Sequence, residues 1–205
     1  MLGTPIRDRQ TERHEATRAE ILDAAWAIAQ DKGLTELTLR DVAVAIGMQA
    51  PSLYSYFPSK LAIYDAMFGQ AWAQYSDAFA KAELTLPRSA RVAIKRIAHL
   101  FFDFAMASPA RYQLMNERIV SGFVPSPESY APAIDVLERT RTHLHRFGVS
   151  DPGDVDLLLA LVGGLINAQQ ANDPGGDRWA RLLDQGVDMF ADHLGLPRDL
   201  RRRSR

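Results

Sequence analysis

The 205-residue chain contains no cysteine. Disulfides, thiolate nucleophiles and cysteine-based zinc sites are thereby excluded, and a reducing cytoplasm is the expected location. The chain also lacks a long apolar run. Its most apolar uncharged run, LLLALVGGLINAQQAN at 157–172, holds two glutamines and two asparagines and falls short of the ~20 apolar residues of a membrane-spanning helix. The opening MLGTPIRDRQTERHEATR is polar and charged, without the apolar centre of a signal peptide, so no membrane association is expected. An excess of positive charge is missing as well. The net charge is −1, and over residues 1–60 cationic and acidic side chains nearly balance. Nucleic-acid binders often carry such an excess, so composition leans away from DNA, and only the placement of charges can restore that case. Glycine-rich phosphate loops, GxSxG and HExxH are absent too. No enzyme, cofactor or metal site is expected. His143 and His145 form an HxH pair, but positions i and i+2 do not share a helix face.

What is present is helical periodicity, with hydrophobic residues at 47% and charged residues at 24% of the chain, ordinary for a globular protein. In TRAEILDAAWAIAQDKG, Thr17 and Glu20 have capping-box spacing. Ile21, Ala24, Ala25 and Ile28 then share a face, and Gly33 ends the helix. TLRDVAVAIG follows, with Thr38 as cap, Leu39, Val42, Ala43 and Ile46 inward, and Gly47 as stop. Ser59 caps a long helix whose Leu61, Tyr64, Phe68, Trp72, Tyr75 and Phe79 recur at three- and four-residue steps. Further helices are expected over about 88–107, after Pro109, from Ser126–Pro127 to about Phe147, and over about 153–172 and 177–194. No alternating strand pattern or internal repeat appears, and the tail RRRSR is expected to be disordered. The expected fold is all-α.

Between the second and the long helix lies GMQAPSLYSYFPSK, residues 47–60. Pro51 suits a first helical turn, and Phe57–Pro58 disfavours helix at residue 57. About two turns remain, ~10 Å long. Residues 38–57 thus read as helix, glycine turn, short helix, the pattern of a helix-turn-helix, whose second helix enters the major groove. Ala43 and Ala45 are small enough for the crossing, and Gly47 tolerates positive φ. Ala50, Leu53 and Phe57 form the inner face. Gln49, Ser52, Ser55 and Tyr56, with Tyr54 on the flank, remain outside, able to hydrogen-bond phosphates or base edges. The same pattern also occurs as plain packing in all-α proteins.

Residues 17–68 resemble the N-terminal domain of the TetR family of transcriptional regulators. The shared features are the Ile-Leu-x-Ala-Ala opening at 21–25, Gly33, the Thr38 cap, Ala43, Gly47, the Leu-Tyr-x-Tyr-Phe run at 53–57 and Lys60. Gln49 and Pro51 depart from the serine and glycine common there, which bears on the operator rather than the fold. The resemblance implies an N-terminal three-helix DNA-binding domain (residues 1–60) and a larger helical ligand-binding and dimerisation domain (61–205). It implies DNA contact around Thr38, Gln49, Ala50, Pro51, Ser52, Tyr54, Ser55, Tyr56 and Lys60. Lys60 would meet phosphate at a positive helix end. Arg7, Arg9 and Arg13 would form a flexible minor-groove arm or merely a solvated tail.

The same resemblance implies double-stranded DNA, a small-molecule effector and a second copy of the chain as partners, the dimer forming through the helices at about 153–172 and 177–194. Gly163 and Gly164 there weaken a helix by ~1 kcal/mol relative to alanine, a cost that close helix approach would offset. For the ligand site the candidates are Phe68, Trp72, Phe101, Phe104, Met115, Asn167 and Gln170, with Gln169, His99 and Asp103 as further polar groups among apolar ones. The function expected is a sequence-specific DNA-binding regulator, a repressor released by its ligand. The competing reading is an all-α carrier or enzyme with a merely structural N-terminal motif.

Overall fold

A computed structural model describes residues 9–198. Arg7 and the tail 201–205 lie outside the described residues. Nine α-helices and no strand occur among those described: α1 Arg9–Lys32, α2 Leu39–Ala45, α3 Ala50–Leu53, α4 Lys60–Glu83, α5 Ala90–Ala107, α6 Pro109–Asn116, α7 Pro127–Arg146, α8 Pro152–Asn172 and α9 Leu183–His193. No helix among the described residues is long and apolar enough to cross a membrane.

The expected caps form at Thr38, Ser59 and Ser126, whose hydroxyls accept the amides of Asp41, Ala62 and Ser129. Each satisfies one of the free donors at a helix start. Gly33 and Gly47 take φ of 92° and 66°, the left-handed values that favour glycine. Three expectations are corrected. First, α1 starts at Arg9, not Thr17. Residues 9–16 contain no helix breaker, so the helix runs through Thr17 and the capping box does not form. Arg9 and Arg13 therefore sit on a helix rather than on a flexible arm. Second, Ala43 is buried but Ala45 is exposed, so Ala43 alone serves the helix crossing. Third, the last helix is broken. A 3-10 turn at Ala180–Leu182 precedes α9, because the chain must turn through Pro174, Gly175 and Gly176 first.

Three apolar clusters organise the molecule. The head gathers Ile21 and Ala25 of α1, Val42 of α2, Leu53 and Phe57 around α3, and Ile63, Tyr64, Met67 and Phe68 of α4. A second cluster joins α5, α8 and α9 through Ile94, Phe102, Leu158, Ile166, Val187 and Phe190. A third, smaller one holds Tyr75, Phe79, Met115 and Val136 between α4 and α7. Helix α4 thus serves both the head and the body. The Tyr64 hydroxyl donates to the Leu34 carbonyl, tying α4 to the α1–α2 loop, and burial pushes its pKa up to about 12.

Farther along α4, the Asp65 carboxylate accepts three hydrogen bonds from the start of α7. They come from the Ser126 amide at 2.7 Å, the Ser126 hydroxyl at 2.8 Å and the Ser129 hydroxyl at 2.9 Å. At the other end, Glu83 accepts from Arg139 and from His143, the latter at 2.7 Å. Across α5 and α9, buried Arg91 bonds the carbonyls of Leu196, Pro197 and Asp188 and the Asp192 carboxylate. Helix α7 packs along α4, and α8 packs on α5 and α9.

Candidate functional site

The head presents one small, two-sided element. Helix α3 is a single α-helical turn, shorter than the two turns expected. A tight turn completes it, with the amides of Tyr56 and Phe57 both donating to the Leu53 carbonyl at 3.0 Å. Proline at residue 58 stops further winding. So short a helix has no independent stability; side chains hold it. Leu53 is fully buried and Phe57 is 1% exposed.

Arg18 of α1, not singled out by the sequence, is the third anchor. Its Nη1 donates to the Tyr56 carbonyl, and its guanidinium lies 4.1 Å from the Phe57 ring centre. This occupies a carbonyl that would otherwise be orphaned at the helix end. An arginine one helix upstream gives no periodic signal of such a contact. His14 of α1 stacks on the Tyr56 ring with centroids 4.7 Å apart. Tyr56 therefore packs against α1 through its ring. With Arg9, Arg13 and Thr17 it lines a shallow groove beside α3.

The remaining residues expected at DNA distribute as follows. Gln49, Pro51, Ser52, Tyr54 and Ser55 are exposed, and Ala50 is partly buried against the head. Gln49 stands at the N-cap position in extended backbone without a side-chain cap bond. The Ser55 hydroxyl donates to the Ser52 carbonyl at 2.7 Å, so only its lone pairs are free to accept. Thr38 is an exposed cap. Lys60 is less free than its position implied. Its ammonium donates to the Thr35 carbonyl at 3.2 Å and sits 5.5 Å from the Tyr64 ring centre. An ammonium has three donors, which leaves two for a phosphate.

The body holds a cavity of about 310 Å³ bounded by α4, α5, α6, α7 and α8. Of the residues expected in a ligand site, Trp72 and Phe101 line it. The others lie elsewhere. Phe68 stacks on Tyr130 within the head cluster, and Phe104 lies under the Arg111 guanidinium at 3.7 Å. Met115 is buried behind Tyr75, and Asn167 is exposed. Gln170 donates to the Ala105 carbonyl at 3.4 Å. Gln169 is a structural group, its oxygen accepting the amides of Trp179 and Ala180 ahead of α9. His99 pairs with Asp184 at 2.8 Å on the surface, and Asp103 is exposed.

The polar groups that do line the cavity are Tyr75, Asn116, Tyr112, Tyr130 and Thr140. Tyr75 lay on the aromatic stripe read as core, where its hydroxyl was the overlooked signal, since buried phenols normally find a partner. Tyr112 stands opposite Gly163, where an added Cβ would meet its hydroxyl at 3.6 Å. A Cβ there would make only ordinary contact, so no close helix crossing within the chain requires this glycine. Gly164 faces open space, on the same side as exposed Leu157.

A helix-turn-helix head on an all-α body defines the class of this molecule. Residues 21–67 match the profile of the bacterial regulatory proteins of the tetR family. The regulator EthR of Mycolicibacterium smegmatis is 29% identical over 110 residues, covering 54% of this chain and 49% of EthR. The repressor KstR of Mycobacterium tuberculosis is 28% identical over 131 residues, covering 63% of this chain and 56% of KstR. The chain spans about half the length of these curated relatives. Among solved structures, FadR from Bacillus subtilis in complex with stearoyl-CoA superposes with a TM-score of 0.66 at 14% identity, covering 84% of this chain and 96% of FadR. Residues 21–67 are thus similar to the DNA-binding domain of that family, and the chain as a whole shares the fold of FadR.

Proposed function

We propose that the chain is a cytoplasmic, homodimeric transcriptional regulator, a repressor that leaves its DNA operator when a small molecule fills the cavity. The division of α3 by face carries this reading. Leu53 and Phe57 are committed to the core, while Gln49, Ser52, Tyr54 and Ser55 are exposed together. Gln49, Ser52 and Tyr54 can donate to or accept from base edges and phosphates, and Ser55 can accept. Thr38, Ala50, Pro51, Tyr56 and Lys60 frame that face. In this reading residues 1–60 form the reading head and 61–205 the ligand-binding and dimer-forming body. The dimer forms through α8 and α9, where Leu157 and Met189 are half or more exposed. Relatives named as a regulator and a repressor, and a similarly folded protein holding stearoyl-CoA, support it.

In a two-fold dimer the two copies of α3 enter successive major grooves, ~34 Å apart. The carrier reading has the cavity in its favour but gives the exposed face of α3 nothing to do. Selection from a random duplex pool with purified protein is the test. Enrichment of a palindromic site bound by a dimer is expected, and no enrichment above a scrambled pool would sink the proposal.

A further inference from the structure

The cavity wall carries hydrogen-bond donors and no charge. None of the residues that line it is Asp, Glu, Lys, Arg or His. Tyr75 is 3% exposed and Tyr112 4%. Neither hydroxyl has a hydrogen-bond partner among the described residues, yet neither is sealed off as the unpartnered indole nitrogen of Trp72 is. Both residues line the cavity. Tyr75 is fixed edge-on against Phe101 and Phe104, with centroids 5.1 Å away in each case. Tyr112 is set against Phe101 at 6.0 Å. Burial raises both phenol pKa values, that of Tyr112 to about 12 with help from Glu117. Both therefore stay protonated as donors at neutral pH. Thr140 is already spent on the Val136 carbonyl at 2.8 Å.

Buried donors without partners are costly unless a ligand satisfies them. A carboxylate or ammonium entering such a site would lose its hydration and meet no opposite charge. Size adds a bound. A cavity of ~150 Å³ accepts benzene, so about 310 Å³ suits a molecule of roughly twice that size, on the order of twelve to fifteen non-hydrogen atoms.

We propose that the effector is an uncharged, mainly apolar molecule of about that size, bearing a carbonyl or ether oxygen that accepts hydrogen bonds from Tyr75 and Tyr112. This rests on the reading of the cavity as the effector site.

Three matched probes test it: acetylnaphthalene, naphthoate and ethylnaphthalene. A linear set of undecanone, undecanoate and undecane controls for shape. Binding is read at neutral pH from quenching of Trp72 fluorescence, against a Trp72→Phe background, and by calorimetry. In at least one set the ketone binds tenfold or more tighter than the carboxylate and about three- to tenfold tighter than the hydrocarbon. The double variant Tyr75→Phe/Tyr112→Phe equalises ketone and hydrocarbon without unfolding, as checked by circular dichroism. A carboxylate that binds as tightly as its ketone overturns the proposal. So does equal binding of ketone and hydrocarbon to the unaltered protein, or no binding of either ketone. If the double variant does not fold, Tyr75→Phe and Tyr112→Phe singly must each shrink the ketone preference, and an unchanged preference in both overturns it. Ketone binding in a protein that selects no DNA would instead sink the regulator reading and leave the ligand chemistry standing.

Discussion

Arg18 offers a direct test of how the reading element is held. Replacing it by methionine keeps most of the apolar stem but removes the hydrogen bond to the Tyr56 carbonyl and the cation over Phe57. A hydrogen bond from a charged donor is worth about 1.5–3 kcal/mol net, and a cation–π contact about 0.5–1 at an exposed site. Arg18 is partly exposed, so screening reduces both. About 1.5–2.5 kcal/mol remains. Because α3 is one turn, that loss should appear as local opening before any global unfolding. At a factor of ten per ~1.4 kcal/mol, amide protection at Tyr56 and Phe57 falls about 10- to 70-fold. Hydrogen exchange without DNA reads this apart from any phosphate contact Arg18 makes. Amides in α8 should not change. Arg18→Lys should recover no more than about half, since an ammonium lacks the flat fork that covers a ring and reaches a carbonyl together. Protection within threefold of the unaltered protein in Arg18→Met would refute the anchoring role.

Three other outcomes follow from the geometry. Burial acts to raise the Glu83 carboxyl, but hydrogen bonds from Arg139 and His143 outweigh it and hold the pKa below the ordinary 4.5. Its contribution is therefore present above the unfolded value and lost as pH falls through the folded one. Urea midpoints of the native chain and Glu83→Gln should differ above about pH 5 and converge in acid, and a gap that persists in acid contradicts this. Lys60→Ala should weaken DNA binding evenly across sequences and lower the salt slope by about one unit; an unchanged slope leaves Lys60 as a loop tie to Thr35. Gly164→Ala adds a Cβ that meets nothing in the protomer and should stabilise α8 by up to ~1 kcal/mol. Across a dimer interface the same methyl would weaken association, so sedimentation at graded concentration decides whether that face is covered.

The helices were legible because their apolar periodicity and caps are local. Thr38, Ser59, Ser126, Gly33 and Gly47 each do in the structure what their neighbours in sequence require. The start of α1 was not legible. A cap at Thr17 outweighed the eight residues before it, six of them good helix formers, although nothing stops a helix from running through a threonine. The outward face of α3 could be read from alternation of character within one turn. Its anchor could not, because Arg18 reaches Tyr56 across 38 positions.

The cavity was the least legible part. Apolar and polar residues on five helices converge there, and which of them turn inward depends on helix rotations that no single helix encodes. Trp72 and Phe101 were found by type. Tyr75 and Tyr112 were hidden among residues that pack, while Asn167 is exposed to solvent and Gln170 is bonded to the Ala105 carbonyl.

In the proposed function, the short α3 keeps its two duties on different atoms. Gln49 and Ser52 make no side-chain hydrogen bond among the described residues, and nothing inside the head leans on them. Leu53 and Phe57 are buried in the head, and Arg18 ties the end of the turn to α1. A lineage could exchange the first group, letter by letter, while the second stayed fixed. Operator preference would then be a replaceable label on a stable mount, and a variant selected for a new DNA target would unfold at the same temperature as its parent.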